Sequence, residues 1–199
     1  MARLSSSFFL DSDVVVVAKN LLGKLLVTQF DGTITSGIIT ETEAYCGQND
    51  KACHANNGKK TKRNEVMYRA GGVAYVYLCY GIHHLFNVVT NEENHADAVL
   101  IRAIEPVDGL ATMLQRRKQN KIAKNLSSGP GTLTQALGIT TNLNGENLQE
   151  NMVWIEESGN ELGENEICSS TRIGVGYAGE DAHKPWRFYM KNSNWVSKK

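Results

Sequence analysis

The run Ala74-Tyr-Val-Tyr-Leu-Cys-Tyr-Gly81, returning as His84-Leu-Phe-Asn-Val-Val-Thr90, constrains the fold more than any other part of this chain. Gly71-Gly72 breaks the backbone before it, and Gly81 closes it with a turn, so the two halves read as an antiparallel hairpin. Successive strand side chains alternate faces. Tyr75 and Tyr77 therefore share one face, and Tyr80, at the turn, points elsewhere. Ala98 to Ala103 adds another strand, apolar except for Arg102, and an Arg set in such a strand needs a partner.

The rest of the chain extends this sheet. Asp11 to Gly23 predicts a short helix, with Asp11 or Ser12 as N-cap and Gly23 as the C-terminal stop. Leu25 to Gln29 and Thr33 to Glu43 predict strands joined by the tight turn that Asp31-Gly32 favours. By period two, Ile39, Glu41, Glu43 and Tyr45 share a face, which predicts partial burial of at least one carboxylate. Cys46 to Asn64 reads as a long loop, with Asn64 capping a short turn through Tyr68. A helix with an exposed basic face is predicted over Leu110 to Lys124, and a shorter one over Thr132 to Leu137, with Pro130 near its start and Gly138 past its end. Trp154, Arg172 to Gly176, and Arg187 to Met190 read as further strands. With 199 residues and 41% apolar content, one well-buried core is expected. The expected fold is a single mixed α+β domain over residues 1–199. It is a curved, mainly antiparallel sheet with peripheral helices and a protruding hairpin at Tyr80.

The net charge is zero but unevenly spread. Residues 125–171 hold Glu146, Glu150, Glu156, Glu157, Glu161, Glu164 and Glu166 and no Lys or Arg. Positive charge gathers in Lys59, Lys60, Lys62, Arg63 and Arg69, and again in Arg116, Arg117, Lys118, Lys121 and Lys124. Each cluster fits a phosphate contact or simply a solvated surface. The first residues carry no long apolar stretch, and no apolar run approaches the ~20 residues that span a bilayer. A soluble, intracellular protein without membrane contact is expected. Cys46, Cys53, Cys79 and Cys168 form no CxxC pair, so reduced thiols are expected, and Cys46, Cys53 and His54 match no usual metal-site spacing. No metal or cofactor is expected.

Glu41-Thr-Glu-Ala-Tyr45, His54 and the Tyr-rich strand set carboxylates among several rings in a chain of 8% Phe, Trp and Tyr. An enzyme that extrudes a base needs rings to hold it and another side chain to fill the gap in the duplex. Asn87, inside an apolar strand, is either a clip between strands or a group that reads such a base. In addition to Glu41–Tyr45, the motifs His54, Arg63-Asn64, Tyr75-Val-Tyr77, Tyr80-Gly81, Asn87, Leu100-Ile-Arg102, Glu105-Pro106, Ser128-Gly-Pro130, Arg172-Ile-Gly-Val-Gly176, Lys184-Pro185 and Arg187-Phe-Tyr189 occur in order. Over nearly its whole length the chain resembles the alkyladenine (3-methyladenine) DNA glycosylases, monofunctional base-excision repair enzymes of the mammalian type.

The resemblance implies roles. Glu43 would activate a water for attack at the sugar C1′, and Arg102 would place that water and keep Glu43 ionised. Tyr45, His54 and Tyr77 would enclose the flipped base, and Asn87 would clash with the 2-amino group of guanine. Tyr80 would intercalate where the base has left, beside Ile82, which stands where some members carry Met. Lys59, Lys60, Lys62, Arg63, Arg116 and Arg117 are candidates for the DNA backbone, Lys62 replacing a Pro of the mammalian form. The implied partner is duplex DNA containing damaged purines, met by a monomer. Two rivals remain at this stage. One is a non-catalytic nucleic-acid-binding module, similar in fold to a domain of tRNA formyltransferases. The other is a hydrolase using Glu41 and Glu43 as paired carboxylates about 7 Å apart by strand rise.

Overall fold

The structure is a computed structural model that describes residues 2–159 and 162–199, so Glu161 of the acidic segment lies outside the described residues. The chain is α+β, with one eight-stranded sheet. Its strands are β1 (Leu25–Phe30), β2 (Thr33–Tyr45), β3 (Ala74–Cys79), β4 (His83–Thr90), β5 (Asp97–Pro106), β6 (Val153–Glu156), β7 (Ile167–Ser170) and β8 (Arg187–Met190). The main path runs β3-β4-β5-β2-β1-β6, while β8 pairs with β2 and β7. Every one of these pairings is antiparallel. β2 is the hub: β5 lies along one edge, while β1 and β8 share the other, at Thr33–Ile38 and Glu41–Glu43.

Asp31 and Gly32 both take positive φ, 51° and 75°, the backbone that a twisted hairpin's tight turn requires. The β2–β5 register then shifts between Ile39 and Thr42. This bulge overturns one reading of strand parity. Ile39 joins Leu26 and Ala44 in the main core, and Thr42 donates to Ala18 O on that side. Thr40 and Glu41, consecutive in sequence, both bond to the C-terminal segment, at Trp195 O and Ser197. An extra residue in a strand resets the alternation beyond it, so Ile39 lies on the face opposite Glu41 and Glu43.

Helices α1 (Val14–Asn20), α2 (Leu110–Arg117) and α3 (Pro130–Leu137) gather on the core side, where α1 and α3 pack against β2, β4 and β5. Asp13, rather than Asp11 or Ser12, caps α1 by accepting from the amides of Val15 and Val16. Pro130 starts α3 and Gly138, at φ 74°, ends it as expected. α2 stops at Arg117 because Lys118 turns left-handed, so the long basic helix to Lys124 does not form. Arg172–Gly176 is a loop rather than a strand, with Gly174 at φ 80°, and β7 occupies the preceding residues, which the sequence reading had not marked.

On β3, β4 and β5 the period-two alternation divides two apolar regions. Ala74, Val76, Phe86, Val88, Val99 and Ile101 enter the main core. Tyr75, Val89 and Ala98 face the other way, packing with Cys53, Met67 and Ala55 beneath the loop that follows β2. No described helix is long and apolar enough to cross a membrane.

Candidate active site

That second face opens into a cavity of about 790 Å³. Its walls come from β3 and β4 (Tyr75, Tyr77, Leu85, Asn87), β5 (Leu100, Arg102), the loop after β2 (Cys53, His54, Arg63), the start of α3 and the loop at Ile173–Val175. Tyr45, Arg102 and Ile173 all line it, and all three bind the carboxylate behind them. The Tyr45 hydroxyl donates to Glu43 Oε2 at 2.7 Å and Arg102 Nη1 to the same oxygen at 3.2 Å. The backbone N–H of Ile173 donates to Oε1 at 2.7 Å.

Glu43 is fully buried. Burial raises its pKa from the ordinary 4.5, and Arg102, the Ile173 amide and Tyr45 oppose that rise without cancelling it. Arg102 acts on Glu43 in the expected direction, favouring the ionised form, while desolvation, the larger effect, leaves the pKa above its ordinary value. Burial and the neighbouring Glu43 charge push the Tyr45 phenol well above its usual value, so it remains a donor at neutral pH. If Glu43 is the general base, activity must rise with pH as its carboxyl ionises. We therefore expect the acid limb of the single-turnover pH profile to have its midpoint above 4.5; a limb centred at or below 4.5 would contradict this electrostatic account.

Glu41 lies on the same face of β2 but is held toward the C-terminal segment. Its oxygens accept from Arg102 Nε at 3.1 Å, Arg187 Nη1 at 3.0 Å, and the Ser197 amide and hydroxyl at 2.6 and 2.8 Å. Glu41 accepts four hydrogen bonds, and of its donors only Arg102 lines the cavity, whereas all three donors to Glu43 do; the arrangement favours one base over a carboxylate pair.

The ring wall is braced from below. His54 and Tyr77 meet edge to face at 4.7 Å, and Tyr75 tilts against Tyr77 at 5.3 Å. Tyr75, read as plain core, also fixes the His54 ring through a 3.0 Å bond between its hydroxyl and Nδ1. Desolvation, helped by the Arg63 charge, lowers the His54 pKa and keeps the ring neutral at pH 7. Asn64 does not cap the turn after it. Its amide instead donates to His54 O at 3.0 Å and Lys59 O at 2.8 Å, tying the His54 loop together. Asn87 Nδ2 donates to Tyr75 O at 3.0 Å, so it clips strands and borders the cavity at once.

The tip of the β3–β4 hairpin stands out from this wall. Tyr80 is 90% exposed and Ile82 71% exposed, and Tyr80 adopts φ 51°. An aromatic residue in left-handed backbone, with almost no burial in return, is strained.

The basic candidates separate. Lys59, Lys60, Lys62 and Arg63 are exposed, and the Arg63 guanidinium lies 5.0 Å from the Tyr77 ring centroid as part of the cavity wall. Arg116 and Arg117 are half-buried and bond inward. Arg116 donates to Ala136 O and Thr35 Oγ1, and Arg117 to Leu126 O and Asn125 O. The exposed basic face expected of that helix is therefore not present at these two residues. All four cysteines are free thiols, and burial pushes Cys53, on the cavity wall, up to about 12. Among the described residues no group of three or more His, Cys, Asp or Glu could hold a metal ion.

The sequence reading missed Ile173, whose contribution is a main-chain N–H that no residue type announces. It also missed the buried Asp50–Arg172 pair behind Tyr45: Arg172 Nη2 donates to Asp50 Oδ1 at 2.7 Å, and its Cζ lies 4.8 Å from the Tyr45 ring centroid. The Gly pair in Arg172-Ile-Gly-Val-Gly176 was the available sign of a loop.

A buried carboxylate beneath a ring-lined cavity belongs here to a DNA glycosylase, an enzyme of DNA repair that hydrolyses N-glycosyl bonds, as comparison with known proteins establishes. The family model described as methylpurine-DNA glycosylase matches residues 8–194, and the chain belongs to that family. It is 51% identical to a Chlamydia felis protein over 94% of this chain and 95% of that one. It is 47% identical to a Bacillus cereus (strain B4264) protein over 96% and 97%, and 44% identical to a Desulfitobacterium hafniense protein over the full length of both. Each of these relatives bears the name "Putative 3-methyladenine DNA glycosylase".

Proposed function

We propose that this glycosylase flips alkylated or deaminated purines out of duplex DNA and hydrolyses their N-glycosidic bond, leaving an abasic site. Its substrates are of the 3-methyladenine, 7-methylguanine, hypoxanthine and ethenoadenine class. The observation that carries this reading is the Glu43 carboxylate, which has Tyr45, Arg102 and Ile173 as hydrogen-bond partners on the cavity wall. A carboxylate offers about four lone-pair sites. Three are taken, and a water entering from the cavity side would use the remaining one.

Tyr45, His54 and Tyr77 bound the space for the base; stacking of this kind is worth ~1–3 kcal/mol per base and is indifferent to sequence. That suits an enzyme with several substrates. Asn87, fixed by its bond to Tyr75 O, would reject the 2-amino group of guanine. The strained, exposed Tyr80 is suited to insertion into the stack, with Ile82 beside it, and packing of its ring on the flanking bases would offset part of the few kcal/mol that unstacking costs. Lys59, Lys60 and Lys62 would meet phosphates. No lysine lines the described cavity to form a Schiff base, which supports a monofunctional action. The same reading takes the protein as a single-domain monomer that acts without a cofactor.

A duplex carrying one hypoxanthine tests this reading. Free hypoxanthine together with a strand that breaks only after alkali is the expected result. A break without alkali would end the monofunctional reading, and tight binding with no base released would favour a binding module.

A further inference from the structure

Every nitrogen of the Arg102 guanidinium has an acceptor of its own. Nε donates to Glu41 Oε1 at 3.1 Å, Nη1 to Glu43 Oε2 at 3.2 Å, and Nη2 to Ser197 Oγ at 3.4 Å. A planar group whose N–H donors form a fixed fork is oriented by acceptors at its three corners. The third of them is a half-buried hydroxyl 95 positions away in sequence. Ser197 is itself held: its amide donates to Glu41 Oε2 at 2.6 Å and its hydroxyl to Glu41 Oε1 at 2.8 Å. On either side of it, Trp195 O accepts from Thr40 Oγ1 on β2, and Lys198 O accepts from Arg187 Nη1 on β8 at 2.8 Å. A hydroxyl has one proton and two lone pairs, so Ser197 Oγ donates to Glu41 and accepts from Arg102 at once.

Resting on the glycosylase reading above, we propose that Ser197 is a positioning residue for base release, its hydroxyl bridging Glu41 and Arg102 so that the guanidinium stays turned toward Glu43. Ser197 is not among the described residues lining the cavity, so it acts through Arg102 and not on the base or the water. Arg102 is one cation between two fully buried carboxylates, Glu41 and Glu43, which compete for it. Without the hydroxyl, Glu41 keeps three of its four donors and Arg102 two of its three acceptors, and the less compensated Glu41 draws the guanidinium toward itself. The charged and titratable groups about Glu43 are Glu41 and Tyr45 on β2, Arg102 on β5, Arg187 paired across on β8, and Arg172 beside Ile173. Among the described bonds, the Ser197 hydroxyl touches only Glu41 and Arg102 of these. Arg102 lowers the Glu43 pKa and the Glu41 charge raises it, so a weaker Arg102 contact and a barer Glu41 both raise it further.

The test follows single-turnover release of hypoxanthine from duplex DNA across pH, at saturating enzyme, for wild type, Ser197→Ala and Ser197→Thr, each with a thermal melt. A base must be ionised to act, so a raised pKa moves the acid limb to higher pH. The midpoint in Ser197→Ala is expected to rise by about half a pH unit or more, which lowers rates on the limb about threefold or more. Ser197→Thr keeps the hydroxyl and is expected to follow the wild-type limb. If Ser197→Ala melts lower but its acid limb stays in place, the segment serves stability alone and the proposal is overturned. An equal shift in Ser197→Thr overturns it too, because the hydroxyl is then not the cause. Failure of the wild type to release hypoxanthine or 3-methyladenine would defeat the glycosylase reading itself, and the proposal with it.

Discussion

Glu43→Gln is expected to bind lesion-containing duplex as the wild type does and to release base about 10²- to 10⁴-fold more slowly, the usual contribution of a positioned general base. The substitution keeps size and removes the charge and the proton-accepting capacity. His54, Tyr77 and Tyr80, three of the groups proposed to hold base and duplex, make no hydrogen bond to Glu43 among those described, which is why binding should survive while chemistry does not. The new amide places a donor among three existing donors, Tyr45 Oη, Arg102 Nη1 and Ile173 N, so local rearrangement is expected, and a thermal melt should accompany the kinetics. Single-turnover release of hypoxanthine from a folded variant is the deciding measurement; near-wild-type rates would remove Glu43 from the mechanism.

Asp50→Ala is expected to cost about 3–5 kcal/mol, the loss typical when one partner of a buried ion pair is removed and the other stays behind. Both side chains of the Asp50–Arg172 pair are fully buried. Asp50 also accepts from the Ala52 amide, and Arg172 also donates to Ala44 O and Asp181 O. The pair therefore joins the end of β2, the His54 loop and the loop bearing Ile173. Losing it should lower Tm by roughly 10 °C for a chain of this size and slow base release as well, because the Ile173 N–H would no longer be held on Glu43. The double variant Asp50→Ala, Arg172→Met should recover much of the stability, since no unpaired charge remains. A loss below about 1 kcal/mol in the single variant would mean that Arg172 finds another partner.

What the sequence determined by itself was local. Strand parity placed Tyr75 and Tyr77 on one face. Asp31-Gly32, Pro130 and Gly138 marked the turn and helix ends where they occur, because alternation and backbone preference depend on neighbouring residues alone. The order of motifs pointed to the family that the comparisons establish. What only the tertiary structure decided depended on groups far apart in the chain. The bulge at Ile39–Thr42 reversed the side on which Ile39 lies. Asn64 turned from a local cap to a clamp on His54, and Arg116 and Arg117 turned inward to carbonyls of α3 (Ala136) and of the segment before it (Asn125, Leu126). Glu41 and Glu43, two residues apart and alike in sequence, part company because the Ser197 end of the chain and Arg187 claim one, while Tyr45, Ile173 and the cavity adjoin the other. Hydrogen bonding and desolvation between residues more than a hundred positions apart are absent from any local pattern, and at this site they set the two glutamates in different surroundings.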